Sequence, residues 1–121
     1  MIDLARIYLS GDFSRLERAF QMLSQVAEQE DAATGSEAQF LLGEYYWLRN
    51  DWEKAGGEFI KASLRNPADR DFVAYAILRS AQSMKRAGKD REVAELVKRL
   101  QEGFAGSQWA AEGKKLLGGA R

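Results

Sequence analysis

The chain has 121 residues, 45% hydrophobic and 30% charged, the proportions of a soluble globular protein with room for one domain. Lys plus Arg number 18 and so do Asp plus Glu, and this zero net charge argues against a general binder of nucleic acid or anionic membrane, both of which need a basic field. Cys and His are both absent, which excludes disulfides, metal sites built on those residues, Ser-His or Cys-His catalysis and a histidine pH switch.

No apolar run approaches the roughly 18 residues of a membrane span, and no basic stretch followed by an apolar core opens the chain. Residues 2–10 place Ile2, Leu4, Ala5, Tyr8 and Leu9 on a mostly helical stripe, with Gly11 suited to end it. Met1 stands partway into that pattern, as if the chain were cut from a longer protein, a point the sequence leaves open. Ser14 with Glu17 has the form of a capping box, opening a helix to about Gln29 whose apolar face is Leu16, Ala19, Phe20, Leu23, Val26 and Ala27. The acidic run Glu28–Asp31 is expected to be a solvated helix end. Residues 32–36 are expected to form a loop, with Thr34 and Glu37 as a second capping box.

The next stretch, Ser36 to Pro67, holds two helical patterns that meet at the polar turn Arg49-Asn50-Asp51, with Asp51 as the N-cap of the second. Gly56-Gly57 falls inside that second helix, where each glycine costs about 1 kcal/mol against alanine. Either the pair permits a close approach by a neighbouring helix or ligand, or it is merely tolerated. Beyond Pro67, Asp69 caps a long helix to about Ala87, whose buried side is Phe72, Val73, Ala76, Ile77, Ser80, Ala81 and Met84. Gly88 ends it. Asp90 is expected to cap the next helix, with Val93, Ala94, Leu96, Val97 and Leu100 as its apolar face. Ser107 then caps a last amphipathic helix carrying Trp109, Ala110, Gly113, Leu116 and Leu117, and residues 118–121 read as a disordered tail.

The spacing in Ser36–Pro67 resembles a tetratricopeptide repeat (TPR), a helix–turn–helix unit of about 34 residues. Leu42 and Gly43 fall on the family's Leu-Gly, Tyr46 on its Tyr, and Ala55, Phe59, Ala62 and Pro67 on the Ala, Phe, Ala and Pro of the second helix and exit. Gln39 stands where the family has Trp. Gly11-Asp12-Phe13 with Ala19, Leu23 and Val26 resembles a truncated first repeat whose register slips by three residues. Around Gly88, the residues Ala81, Met84, Val93, Val97, Leu100 and Ala105 occupy the motif positions of a weaker third repeat. Gly103–Ala110 is similar to the Tyr-Pro-x-Ser-x-x-Ala exit of bacterial envelope TPR proteins of the outer-membrane-assembly lipoprotein and cell-division coordinator type.

The resemblance implies an all-α, right-handed superhelical stack of about three hairpins plus a C-terminal capping helix. Its segments are 1–33 (truncated or irregular), 34–69 (well formed), 70–106 (degenerate), 107–117 (cap) and 118–121 (tail). It also implies a concave groove lined by first-helix positions, with Tyr8, Phe40, Glu44, Trp47, Tyr75, Arg79, Gln82, Lys85 and Arg86 as the partner-binding residues. Glu37, Leu48, Leu9 and Leu78 map to the same wall. Aromatic and arginine side chains gathered in a groove have the composition of binding hot spots. For Phe40 and Trp47, packing against a neighbouring helix or a second copy is an equal reading. Tyr46 and Phe59 are expected in the core, and Trp52 as a wedge beside the turn. Of the positions that form the family's two-carboxylate clamp (Met1, Ala5, Leu41, Tyr75 and Arg79), only Arg79 fits, so a chaperone tail is not the expected ligand.

No Gly-rich phosphate loop occurs, because Gly88-Lys89 and Gly113-Lys114 lack both the upstream glycine and the Ser or Thr. The expected function is therefore non-catalytic, with no cofactor and no metal: a protein or peptide partner held in the groove, as part of a bacterial scaffold or envelope assembly. The periplasm is favoured over the cytoplasm. The alternative is a self-assembly module in which stack ends or grooves pair between copies.

Overall fold

The computed structural model describes residues 13–28 and 31–118. Among them are six helices and no strand: α1 Phe13–Ala27, α2 Ala32–Leu48, α3 Trp52–Arg65, α4 Arg70–Arg86, α5 Asp90–Gly103 and α6 Gln108–Gly118. No helix among the described residues is long and apolar enough to cross a membrane. The helix expected over 2–10, with Tyr8, Leu9 and Gly11, lies outside the described residues, as do 119–121 of the expected tail.

Several helix starts differ from expectation. Helix α1 already contains Ser14, and the Glu17 carboxylate accepts from the Tyr45 hydroxyl at 3.1 Å and pairs with Arg49 instead of closing a capping box. Residues 32–36 are helical, not a loop: Asp31 is the N-cap of α2, and its carboxylate accepts from the Thr34 amide at 2.8 Å. Tertiary packing explains the extension, since Gly35 and Ser36 are buried and Gly35 lies against the Arg65 guanidinium. The acidic run therefore does not end one helix only; its last residue begins the next. Asp51 holds the N-cap position of α3 without a side-chain capping bond, and its carboxylate faces Lys54 at 3.8 Å. Lys89, not Asp90, occupies the N-cap position of α5. Asp90 begins the helix, where a carboxylate still complements the dipole. Asp69 and Ser107 cap as expected, accepting from Phe72 N–H at 3.2 Å and Ala110 N–H at 3.1 Å.

Helices α2 and α4 end in the same way. Asn50 and Gly88 take left-handed φ of 61° and 76°, and the residue after each reaches back five positions, Asp51 to the Tyr46 carbonyl and Lys89 to the Met84 carbonyl, both at 2.9 Å. The inner bonds, Asn50 to Trp47 at 3.0 Å and Gly88 to Lys85 at 3.1 Å, complete two Schellman motifs. Glycine meets no steric cost at that φ and asparagine little, which is why these two residues stop the two helices.

Each helix packs on the next, and α6 packs on both α4 and α5. The first core cluster joins Ala19, Leu23 and Val26 of α1 to Ala38, Leu41, Leu42 and Tyr45 of α2. A second sets Phe40 of α2 against Ala55, Phe59 and Ala62 of α3 and Ala76 of α4. The third holds Ala74, Ile77, Leu78 and Ala81 of α4 with Val93, Leu96, Val97 and Leu100 of α5 and Ala110 of α6. Helix α2 belongs to two clusters, which accounts for apolar residues around its whole circumference. Phe59 is fully buried, as expected, and Tyr46 packs at the edge of two clusters.

Two glycines have opposite roles. A Cβ on Gly43 would come within 2.6 Å of the Phe59 ring, so this position lets α3 lie close against α2. A Cβ on Gly57 would meet nothing within 4 Å. Gly57→Ala is expected to stabilise by up to about 1 kcal/mol through helix propensity, whereas Gly43→Ala, despite the same propensity gain, is expected to destabilise by about 1–3 kcal/mol through overpacking. Urea unfolding followed by circular dichroism reads both signs.

Burial, then hydrogen bonding to Glu17, raises the Tyr45 phenol above its ordinary value, and burial with nearby Glu58 and Asp51 raises Tyr46. A raised folded-state pKa contributes stability that is fully present below the unfolded value near 10 and is lost as pH rises through the folded one. Alkaline titration of tyrosinate absorbance should accordingly show a late-ionising fraction that Tyr45→Phe reduces and urea abolishes.

Candidate functional site

On α4, Tyr75, Arg79, Gln82 and Arg86 follow one another at spacings of four, three and four residues, which sets them on one side of the helix. Helix α2 brings Glu44 and Trp47 to that side, and Trp52 arrives from the first position of α3, just past the Schellman turn. The turn explains the last placement: it reverses the chain tightly enough that the Trp47 and Trp52 rings meet edge to face, centroids 5.0 Å apart.

The two indoles carry two arginines. The Arg79 guanidinium lies 4.2 Å from the Trp47 ring centre and 5.0 Å from that of Phe59. Arg86 lies 5.1 Å from both Trp47 and Trp52. Such cation–π contacts are each worth about 0.5–2 kcal/mol, more as water is excluded. Among the described residues one carboxylate answers these two cations: Glu44, at 3.8 Å from Arg79. Arg79 also donates to Gln82 Oε1 at 3.1 Å. Its side chain is 14% exposed, and its Nε is the one buried side-chain nitrogen or oxygen without a hydrogen-bond partner among the described residues. The site is thus locally positive in a chain with no net charge.

One turn toward the start of α4, Tyr75 forms an aromatic ledge. It is exposed and stacks on Phe40 at 5.4 Å with a 27° interplanar angle, while Trp109 of α6 closes its far side at 5.0 Å. Phe40, expected either in the groove or packed against a neighbouring helix or a second copy, is 6% exposed and packs at 4.9 Å on Phe59, so it forms the floor beneath the ledge. Lys85 does not join the basic rim: its ammonium donates to the Leu116 carbonyl at 3.0 Å and secures the end of α6. Leu78 is buried among α5 and α6 residues and so leaves the wall to which its spacing assigned it. Leu48 is exposed and Glu37 half-buried. Tyr8 lies outside the described residues.

Glu44, Trp47, Tyr75, Arg79, Gln82 and Arg86 therefore share one continuous surface. Sequence reasoning missed Trp52 and Trp109 as members of it. Trp52 could have been found from its place immediately after the turn, because a residue there must fold back on the last turn of the preceding helix. For Trp109 no local signal exists, since the capping helix must dock before its indole reaches Tyr75. Chemically, the surface offers stacked guanidinium groups for an anion and flat aromatic area for an apolar group. Among the described residues no group of three or more His, Cys, Asp or Glu is arranged to hold a metal ion.

No family model, no characterised protein and no solved structure matches this chain.

Proposed function

We propose that this chain is a non-catalytic protein-interaction module, its helix pairs stacked as TPR hairpins, which holds a segment of a partner protein on the α2/α4 surface. The segment carries an acidic side chain for Arg79 and Arg86 and an apolar anchor for the Tyr75 ledge. The observation that carries this reading is the charge imbalance of the site. Among the described residues, two guanidinium groups stack on indoles, one carboxylate faces Arg79 at 3.8 Å, and the Arg79 Nε has no partner. An incoming carboxylate would meet the accessible parts of the two guanidinium groups in charge-assisted hydrogen bonds, which are the stronger kind. The TPR arrangement is supported by the matched Schellman ends of α2 and α4 and by the fit of Gly43 against Phe59, at the positions of the family's Gly and Phe.

The test is a titration with a short peptide of alternating leucine and glutamate, with a leucine–lysine peptide as control, followed through the indole N–H resonances. The proposal expects saturable shifts at Trp47 and Trp52 with the acidic peptide alone. Equal shifts with both peptides, or none with either, would remove it.

A further inference from the structure

The opposite side of α4 faces a second feature. Ser80 donates to the Gly56 carbonyl at 2.9 Å, and the Met84 methyl covers the spot a Gly56 Cβ would occupy. Gly56 thus serves the close approach of α4 to α3. Gly57 does not, since nothing lies within 4 Å of its Cβ position. It opens onto a groove of about 410 Å³ between α3 and α5, floored by Ile60, Met84 and Leu96. The expectation that the glycine pair serves a close approach within the chain therefore accounts for Gly56 only.

Two pairs of residues on the helices that wall the groove share one spacing. On α3, the empty Gly57 and the 69% exposed Leu64 stand seven residues apart, on one stripe. On α5, the exposed Glu92 and Arg99 also stand seven apart on one stripe, and both line the groove. Each pair is self-complementary: a hole and a knob on one helix, an anion and a cation on the other. We propose that this face pairs with a second copy of the chain, turned end over end about the level of Ile60 and Leu96. One two-fold rotation then sets Leu64 over Gly57 of the second copy and Glu92 against Arg99 of the second copy, each contact occurring twice. A second copy satisfies both at once.

This face lies on the other side of α4 from Arg79, so the proposal does not rest on peptide binding and its failure would not touch that reading. Two helices of 14 residues form a small interface, which places the dimer in the weak class. Sedimentation equilibrium from about 10 μM to about 1 mM is therefore the appropriate range. The wild type is expected to associate. Gly57→Leu, which adds a side chain at an open Cβ position, should weaken association at least about tenfold. Glu92→Arg and Arg99→Glu should each do the same, because each sets like charges together twice. The double reversal Glu92→Arg/Arg99→Glu should regain it, with circular dichroism checking that every variant is helical. A wild type that is monomeric throughout would overturn the proposal. So would a dimer lost on Trp47→Ala but kept in Gly57→Leu, or a double reversal that stays monomeric. A monomer in which Gly57→Leu instead abolishes capture of a different protein would assign the groove to that partner and overturn it as well.

Discussion

Arg79→Met is expected to leave the melting temperature within a few degrees of the parent and to weaken binding of an acidic segment about 30-fold. Both halves follow from the position of the guanidinium. The side chain is mostly buried, its Nε lacks a hydrogen-bond partner among the described residues, and Glu44 is only within ion-pair reach at 3.8 Å. The unsatisfied nitrogen opposes folding by about 1–3 kcal/mol, and the contacts with Trp47 and Phe59 offset much of that. Methionine has similar length and makes favourable sulfur–aromatic contacts, so the exchange is nearly balanced for stability. For binding it is not balanced, because the charge and the planar fork are gone. Arg79→Lys should fall between, keeping charge but losing the stacked plane. Thermal unfolding and peptide titration on the same samples separate the two effects. A variant that loses binding only in proportion to lost helicity would make Arg79 a structural residue.

Phe59→Ala is expected to have the largest effect on stability, about 3–5 kcal/mol, or a fall of roughly 10–20 °C in melting temperature. The ring is fully buried, touches Phe40 at 4.9 Å, fills the space that Gly43 leaves open, and supports Arg79 from below at 5.0 Å. Removing it leaves a cavity where α2, α3 and α4 meet, the cluster that joins the outer two. Phe59→Leu keeps most of the volume and should cost about 1.5 kcal/mol or less. Calorimetry on the two variants gives the ratio, and equal small losses would place the keystone of the packing elsewhere.

The all-helical character and most helix ends were legible because they rest on local chemistry. Asp69, Ser107 and Gly88 act within one turn of their own positions, and the 3.6-residue period marks buried faces wherever a helix has one dry side. Where the reading failed, a long-range contact had overridden a local signal. Residues 32–36 look like a loop until Arg65 packs on Gly35. The Ser14–Glu17 capping box is persuasive until Tyr45 and Arg49 take the Glu17 carboxylate. The site divides in the same way. Tyr75, Arg79, Gln82 and Arg86 share a surface because helical spacing places them so, whereas Lys85, one position away, is drawn to the end of α6. Phe40 obeyed its spacing, but α3 and α4 closed over it.

The central claim is that the Arg79–Trp47 surface recognises an acidic side chain beside an apolar anchor. Selection from a random peptide library on immobilised wild-type chain, run in parallel on Arg79→Met, tests it most directly. The expected result is enrichment of Asp or Glu near Leu, Phe or Trp on the wild type, with that acidic preference lost on the variant. The same peptides enriched on both chains, or a basic consensus on the wild type, would contradict it.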